Sequence, residues 1–318
     1  MVKSSQRRIR DTRYAIGVDV GATKIASALV TQDGRILATR QTETRVNQGA
    51  ESVIQRIADE INALAAQTNE TLSGVGIGVP GLVNPNDGVV INAVNMNWKH
   101  IALREKILPR LKRNVPVRVE NDLRGAARGE HLFGAARGVN DFVLLSIGSG
   151  LGSAAMVNGS VIHGANYFAS ELGHFVIDPK GRVCTCGLHG CAETVLSGRG
   201  LVETTREFLE FRSASSLNAN DLTPSGILDA AHANDSAAIA AFEKMGEWMG
   251  IVMATASAWL NPARIIIGGG LGLAAFDLLY APACESYARR VIKGNQEGVE
   301  LVRSQVDSSA VGAAALVL

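Results

Sequence analysis

One local pattern occurs twice in this chain, and it constrains the fold more than any other feature. An apolar run ends in a glycine turn, a second apolar run follows, and a tight hairpin leads into a third strand. The first copy reads Tyr14-Ala-Ile-Gly-Val-Asp19, then Val20-Gly-Ala-Thr-Lys24, then Ile25 to about Thr31; Asp33-Gly34 turns the chain and Arg35 to Arg40 closes the set. The second copy reads Asp141 to Ile147, Gly148-Ser-Gly-Leu-Gly152, Ser153 to Val157, Asn158-Gly159, and Ser160 to His163. Asp-Gly and Asn-Gly suit two-residue hairpin turns, whose central residues need positive φ. Solenoid repeats recur every 20–50 residues or so, and this pattern does not, so it predicts two similar lobes.

The intervening segments alternate between helix and strand. Val53, Ile54, Ile57, Ile61 and Leu64 recur at helical spacing, which predicts an amphipathic helix from Glu51 to Ala66. Gly74 to Val79 reads as a buried strand stopped by Pro80-Gly81, and Val117 to Glu120 as another that ends in Asn121-Asp122. Thr223-Pro224 and Asp235-Ser236 are helix starts, and Asn261-Pro262 breaks the second of these helices. Ile265-Ile-Ile267 then runs into Gly268-Gly-Gly270. This alternation predicts an α/β protein with ligands at strand ends. Its 318 residues suit two domains. The expected division is a small lobe over 1–125 and a large one over 126–305, with a helix at about 306–318 packing back on the small lobe.

Charge and composition exclude several classes. Thirty-one Lys and Arg against 30 Asp and Glu leave a net charge of +1, so there is no global basic field for nucleic acid. At 5% aromatic residues, base-stacking platforms are not expected either. The longest uncharged apolar stretch, Trp248 to Leu260, is short of the roughly 20 residues that span a bilayer. Lys3, Arg7, Arg8 and Arg10 have no apolar segment behind them, so they read as a mobile basic tail rather than a secretory signal. The expectation is a cytoplasmic protein with no membrane or nucleic-acid partner.

Three glycine turns follow strands: Asp19 to Lys24, Gly148 to Gly152, and Gly268 to Gly270. Glycine lets backbone N–H groups converge on phosphate without a Cβ in the way. The candidates for holding a nucleotide are Asp19, Gly21, Thr23, Lys24, Gly148, Ser149, Gly150, Gly268 and Gly269. Thr23 and Ser149 offer hydroxyl donors, and Asp19 can hold hydrated magnesium. Neither the P-loop nor the dinucleotide fingerprint matches.

Cys184, Cys186 and Cys191 fall within eight residues. Cys-Thr-Cys is poor geometry for a disulfide. Three thiolates and one imidazole make a closed tetrahedral set that suits structural zinc. His174 and His189 are both within reach by sequence distance. Cys284 reads as an ordinary core cysteine.

Taken together, Asp19-x-Gly-x-Thr-Lys24, Gly78-Val-Pro-Gly81, Glu120-Asn-Asp122, Glu171-Leu-Gly-His174 and Cys184-Thr-Cys-Gly-Leu-His-Gly-Cys-Ala-Glu193 resemble the ROK family of sugar kinases and sugar-responsive repressors. The resemblance runs from Ala15 to the C-terminus. It implies the fold shared by sugar kinases and actin-like ATPases, two duplicated ribonuclease H-like lobes with a cleft between them. It implies ATP and Mg2+ as phosphoryl donor and cofactor, a structural Zn2+ held by His174, Cys184, Cys186 and Cys191, and a homodimer. Asp122 is implied as the general base that takes the proton from a sugar hydroxyl. Gly81, Asn95, Asn121, Glu171, His174 and Glu193 are implied as further sugar contacts. Asn97 is a less favoured alternative to Asn95, while Trp98 and Glu120 are expected to be structural.

Two departures stand out. Leu123-Arg124 replaces the small pair usual after Glu-Asn-Asp, and Asn166-Tyr-Phe-Ala-Ser170 is bulkier than the glycine-containing run usual before Glu171. Both are expected to reshape the sugar pocket. The function expected is phosphorylation of the 6-hydroxyl of an aldohexose, glucose first, with an N-acylhexosamine or fructose as alternative acceptors. A sugar-responsive repressor is disfavoured, because only about 14 residues precede the first strand, too few for a helix-turn-helix domain. A non-catalytic sugar-binding protein is disfavoured by the joint presence of Asp19, Thr23, Lys24 and Asp122.

Overall fold

The computed structural model describes residues 13–211, 215–295, 298–306 and 308–318; the basic stretch from Lys3 to Arg10 lies outside them. The elements of the first half are β1 (Tyr14–Val20), β2 (Lys24–Thr31), β3 (Ile36–Glu43), α1 (Ala50–Ala65), β4 (Leu72–Val79), β5 (Leu82–Asn84), β6 (Val89–Ala93), β7 (Trp98–Ile101), α2 (Leu103–Ile107), β8 (Val117–Asn121) and α3 (Asp122–Phe133). The second half holds β9 (Phe142–Ile147), β10 (Leu151–Val157), β11 (Ser160–Val161), α4 (Gly198–Leu209), α5 (Pro224–His232), α6 (Ser236–Leu260), β12 (Arg264–Gly268), α7 (Gly270–Ala274), α8 (Phe276–Ala288), β13 (Glu300–Arg303) and α9 (Ser309–Ala314).

Two units result. One runs to Leu132 and includes Val306–Leu318, and the other spans Phe133–Gln305. The division therefore falls at the end of α3 rather than near residue 125, which would cut that helix. The first unit contains a five-stranded sheet in the order β3-β2-β1-β4-β8, and the second one in the order β11-β10-β9-β12-β13. In each, the glycine hairpin is antiparallel (β1 with β2, β9 with β10), and two later strands join parallel to its first strand. The duplicated sequence pattern is thus a duplicated sheet. A three-stranded antiparallel sheet, β5-β6-β7, belongs to the first unit.

Several strand ends differ from expectation. Leu151 and Gly152 pair with Ile147 and Ser146 and so belong to β10, which shortens the second glycine turn to Gly148–Gly150. The last hairpin strand stops at Val161 instead of His163. Helix caps follow the sequence closely. Thr223 accepts from Gly226 N–H with Pro224 at the first helical position, and Asp235 accepts from Ala237 and Ala238 N–H. Asn261 ends α6 in the left-handed conformation, a role that asparagine tolerates.

Each unit has its own apolar core. In the first, α1 lays Val53, Ile54, Ile57, Ile61 and Leu64 on the sheet; in the second, Ile265 and Ile267 meet Phe242, Met245 and Met249 from α6. Helix α9 lies on β1 and β4 at glycine positions. A Cβ on Gly17 would sit 1.8 Å from the carbonyl oxygen of Ala310, and one on Gly76 1.8 Å from that of Ala313. No helix among the described residues is long and apolar enough to cross a membrane.

Candidate active site

In the first unit the parallel register aligns Asp19 with Gly78 and Gly78 with Glu120, so β1, β4 and β8 end together. A Cβ on Gly78 would lie 3.8 Å from Asp19 Oδ1 and 3.4 Å from the Cα of Asp122. Gly78 therefore lies between the two carboxyl residues, close enough that a methyl group there would touch both. Burial pushes the Asp19 carboxyl above its ordinary value, and a hydrogen bond with Ser309 and the charge of Lys24 pull it part of the way back. An oxygen donor of this kind fits magnesium, which prefers hard ligands and keeps much of its water. The adjoining turn is pinned from below: Gly21 N–H donates to Lys24 O (2.9 Å), and the Thr44 hydroxyl donates to Gly21 O (2.6 Å). Thr23 and Lys24 remain exposed on it.

The Glu-Asn-Asp segment divides its work. Asn121 is the cap of α3: its Oδ1 accepts from the N–H groups of Leu123 (3.0 Å) and Arg124 (3.1 Å), and its Nδ2 donates to Gly81 O (3.0 Å). Asp122 is therefore relieved of capping and stands as the first residue of the helix, with Oδ1 accepting from Leu123 N–H at 2.8 Å. Glu120 is buried and accepts from Asn121 N–H at 2.8 Å. Arg124, also buried, lies 3.8 Å from Glu120. The expectation that Leu123-Arg124 reshapes a sugar pocket is corrected on this point, because Arg124 is spent on an interior ion pair. Asn95 is exposed on the short turn between β6 and β7, and Asn97 takes φ 53°. Trp98 is buried, as expected of a packing residue.

The second unit gathers its two glycine turns around one strand end. Gly148 N–H donates to Gly150 O (2.9 Å), and Gly198 N–H at the start of α4 donates to Gly148 O (2.8 Å). Gly269 takes φ 80°, and a Cβ there would lie 2.4 Å from the carbonyl oxygen of Ile147, so only glycine fits. Gly268 pairs with Ser146 in register.

His174, Cys184, Cys186 and Cys191 bring their ligand atoms within 4.8 Å of one another, and His189 is not in this group. His174 Nδ1 is 3.7 Å from Cys184 Sγ, and the sulfurs of Cys186 and Cys191 are 3.6 Å apart. Tetrahedral zinc would set about 3.5 Å between nitrogen and sulfur and about 3.8 Å between two sulfurs, so the set fits that ion. Burial pushes the Cys191 thiol up to about 12, with Cys186 and Cys184 adding to the shift. A backbone hydrogen bond with Leu188 lowers Cys186. Thiols this crowded resist ionising together, and a divalent cation removes that resistance. His189 instead pairs its backbone with Val183 across the loop. All four cysteines are free thiols.

Glu171 is the cap residue of a single 3-10 turn, Leu172–His174, and its carbonyl oxygen accepts from His174 N–H at 3.0 Å. Glu193 is engaged within its own unit: Oε2 accepts from Leu151 N–H at 3.1 Å, and Oε1 lies 3.8 Å from Cys184 Sγ. Sequence reasoning missed Arg182. Its guanidinium donates to Thr194 O (3.1 Å), Gly200 O (3.1 Å), Thr204 Oγ1 (3.0 Å) and Glu207 (2.7 Å), bolting the cysteine loop to α4. Its place two residues before Cys184 was the available signal. Ser309, the partner of Asp19, had none.

A model of the ROK family matches residues 15–318. The glucokinase of Halalkalibacterium halodurans is 32% identical over 297 residues, 91% of this chain and 89% of that protein. The xylose repressor of Caldicellulosiruptor bescii is 32% identical as well, over 81% of this chain and 66% of its own length. Among solved structures, a ROK family glucokinase from Streptomyces griseus in complex with glucose and AMPPNP has a TM-score of 0.78 at 32% identity, covering 95% of this chain and 98% of that one. Duplicated sheets, the gathered His-Cys set, the family model over residues 15–318 and these relatives lead to one assignment: the chain belongs to the ROK family.

Proposed function

We propose that this chain is an ATP-dependent sugar kinase that phosphorylates the 6-hydroxyl of an aldohexose, with glucose preferred. The observation that carries the reading is the pair Asp19 and Asp122 on either side of Gly78, at the shared ends of three parallel strands. Asp122 accepts the proton of the attacking hydroxyl, because phosphoryl transfer leaves little else for a side chain to do at the acceptor oxygen. Asp19 would hold magnesium, which neutralises charge on the donor phosphates when bound. Backbone N–H groups of the turns that follow Gly21 and Gly148, whose own N–H groups are engaged within the turns, and of the turn at Gly269 are assigned to those phosphates. Thr23, Lys24 and Ser149 are assigned to them as well.

Glu171 and His174 are assigned to sugar hydroxyls remote from the reacting oxygen, with Asn95 and Gly81 as further contacts. His174, Cys184, Cys186 and Cys191 would hold a structural zinc, which fixes the loop when bound and leaves Nε2 of His174 for the sugar. The glucokinase relatives at 32% identity support the kinase reading. The family also contains regulators, such as the xylose repressor above. A coupled assay of ADP release over a panel of hexoses tests the proposal. Release with at least one hexose, absent without sugar, is the expected result; no release with any of them overturns it.

A further inference from the structure

Tyr167 and Ser170 take φ of 66° and 68°, the left-handed region that glycine enters freely and side-chain-bearing residues enter at a cost. Ser170 directly precedes Glu171. Its carbonyl oxygen accepts a hydrogen bond from the hydroxyl of Ser153, and the same hydroxyl accepts from Leu172 N–H at 3.0 Å. Ser153 is buried on β10, two residues after Leu151, whose N–H holds Glu193. One hydroxyl thus grips the residues on both sides of Glu171. The grip is close-fitting on the next residue too, since a Cβ on Gly173 would lie 2.0 Å from Leu151 O.

We propose that Ser153 is a positioning residue for Glu171, holding a strained Ser170 in the one backbone state that presents the carboxylate to the sugar. This inference rests on the assignment of Glu171 to the sugar. It also accounts for the bulky run before Glu171: a serine at position 170 is tolerated because Ser153 holds its carbonyl.

Glucose and ADP titrations with full-length S153A, S153A/S170G and E171Q test it, with a melting curve for each. The loss of two neutral hydrogen bonds should weaken glucose binding about tenfold. ADP binding should stay within about twofold, and S170G should restore most of the glucose affinity, because glycine takes that φ without a holder. Wild-type glucose affinity in S153A, equal losses for glucose and ADP, or no recovery in the double variant overturns the proposal. If S153A does not fold, a folded double variant that binds glucose supports the coupling, and an unfolded one overturns it. Weak binding by E171Q beside normal binding by S153A removes only the role of Ser153. Normal binding by E171Q removes the sugar assignment and Ser153 with it.

Discussion

Leu151 N–H donates to Glu193 Oε2 at 3.1 Å, joining the first residue after the second glycine turn to the end of the cysteine loop. A Cβ on Gly150 would stand 2.5 Å from that same oxygen. Because the clash is with the tip of a flexible side chain, Gly150→Ala should displace the carboxylate and spare the backbone. The expected outcome is a melting temperature near wild type, with kcat/KM for glucose lower by roughly 10–100-fold, the scale of one charge-assisted hydrogen bond of about 1.5–3 kcal/mol. Turnover equal to wild type would show that this contact has no part in catalysis.

Asp122→Asn separates base chemistry from architecture. Asn121 caps α3, and an asparagine at position 122 keeps the Oδ1 acceptor for Leu123 N–H, so the helix start should survive the change. Asparagine can hydrogen-bond the attacking hydroxyl and cannot take its proton. We expect kcat to fall by about 10²–10⁴-fold while glucose still binds. Near wild-type kcat would place the base elsewhere, and lost glucose binding would make Asp122 a sugar-positioning group.

The cysteine loop predicts one zinc per chain. Since the Cys191 thiol is held up at about 12 by burial and its neighbours, metal must displace protons from thiols, and affinity should fall as pH falls. Calorimetry in two buffers of different ionisation enthalpy should show about three protons released per zinc near pH 7. Cys186→Ser should lose metal and melt earlier; loss of a direct ligand should exceed the roughly 10–100-fold cost of losing an outer partner. An active, stable preparation that elemental analysis finds free of metal would sink the assignment.

Asp19 has the opposite sign from a carboxylate in a salt bridge. Burial raises its folded-state pKa above the ordinary value of 3.8, so the folded protein binds more protons in the window just above that value. Stability is therefore lost as pH rises through the window, and the folded state carries the full penalty at neutral pH. Asp19→Asn keeps an acceptor for Ser309 and removes the charge. It should melt higher than wild type at pH 7, with the difference shrinking toward pH 4, and it should lose ATP-dependent turnover. A variant that melts lower at pH 7 would contradict this account.

What could be read in advance follows from how far apart the interacting residues lie. Hairpins at Asp33-Gly34 and Asn158-Gly159, caps at Thr223, Asp235 and Asn261, and the buried stripe of α1 are local, and periodicity or turn chemistry exposes them. The capping role of Asn121 was masked by Asp122, an equally good cap by residue type. Ser309 on Asp19, Arg182 on α4 and Ser153 astride Glu171 arise only when distant segments meet, and no spacing rule marks them. Arg124 shows the converse error. An unexpected charge read as a pocket-shaping residue became, once folded, the buried partner of Glu120.

Glu171 and His174 bracket a single 3-10 turn and are assigned to hydroxyls away from the reacting oxygen. An epimer that misplaces one of those hydroxyls leaves a polar group unpaired, at about 1–3 kcal/mol each. Glucose should therefore exceed mannose, fructose, N-acetylglucosamine and N-acetylmannosamine in kcat/KM. The exposed Phe168 and the left-handed Tyr167 and Ser170 immediately before Glu171 are where an acyl group or a different ring would be accommodated. If an N-acetylated hexosamine exceeds glucose by about tenfold or more, a difference of about 1.4 kcal/mol, the glucose assignment is wrong. Phe168→Ala should then change the ratio between the two sugars more than it changes the KM for ATP. A ratio unmoved by that substitution would put the selectivity on Asn95 and its turn instead.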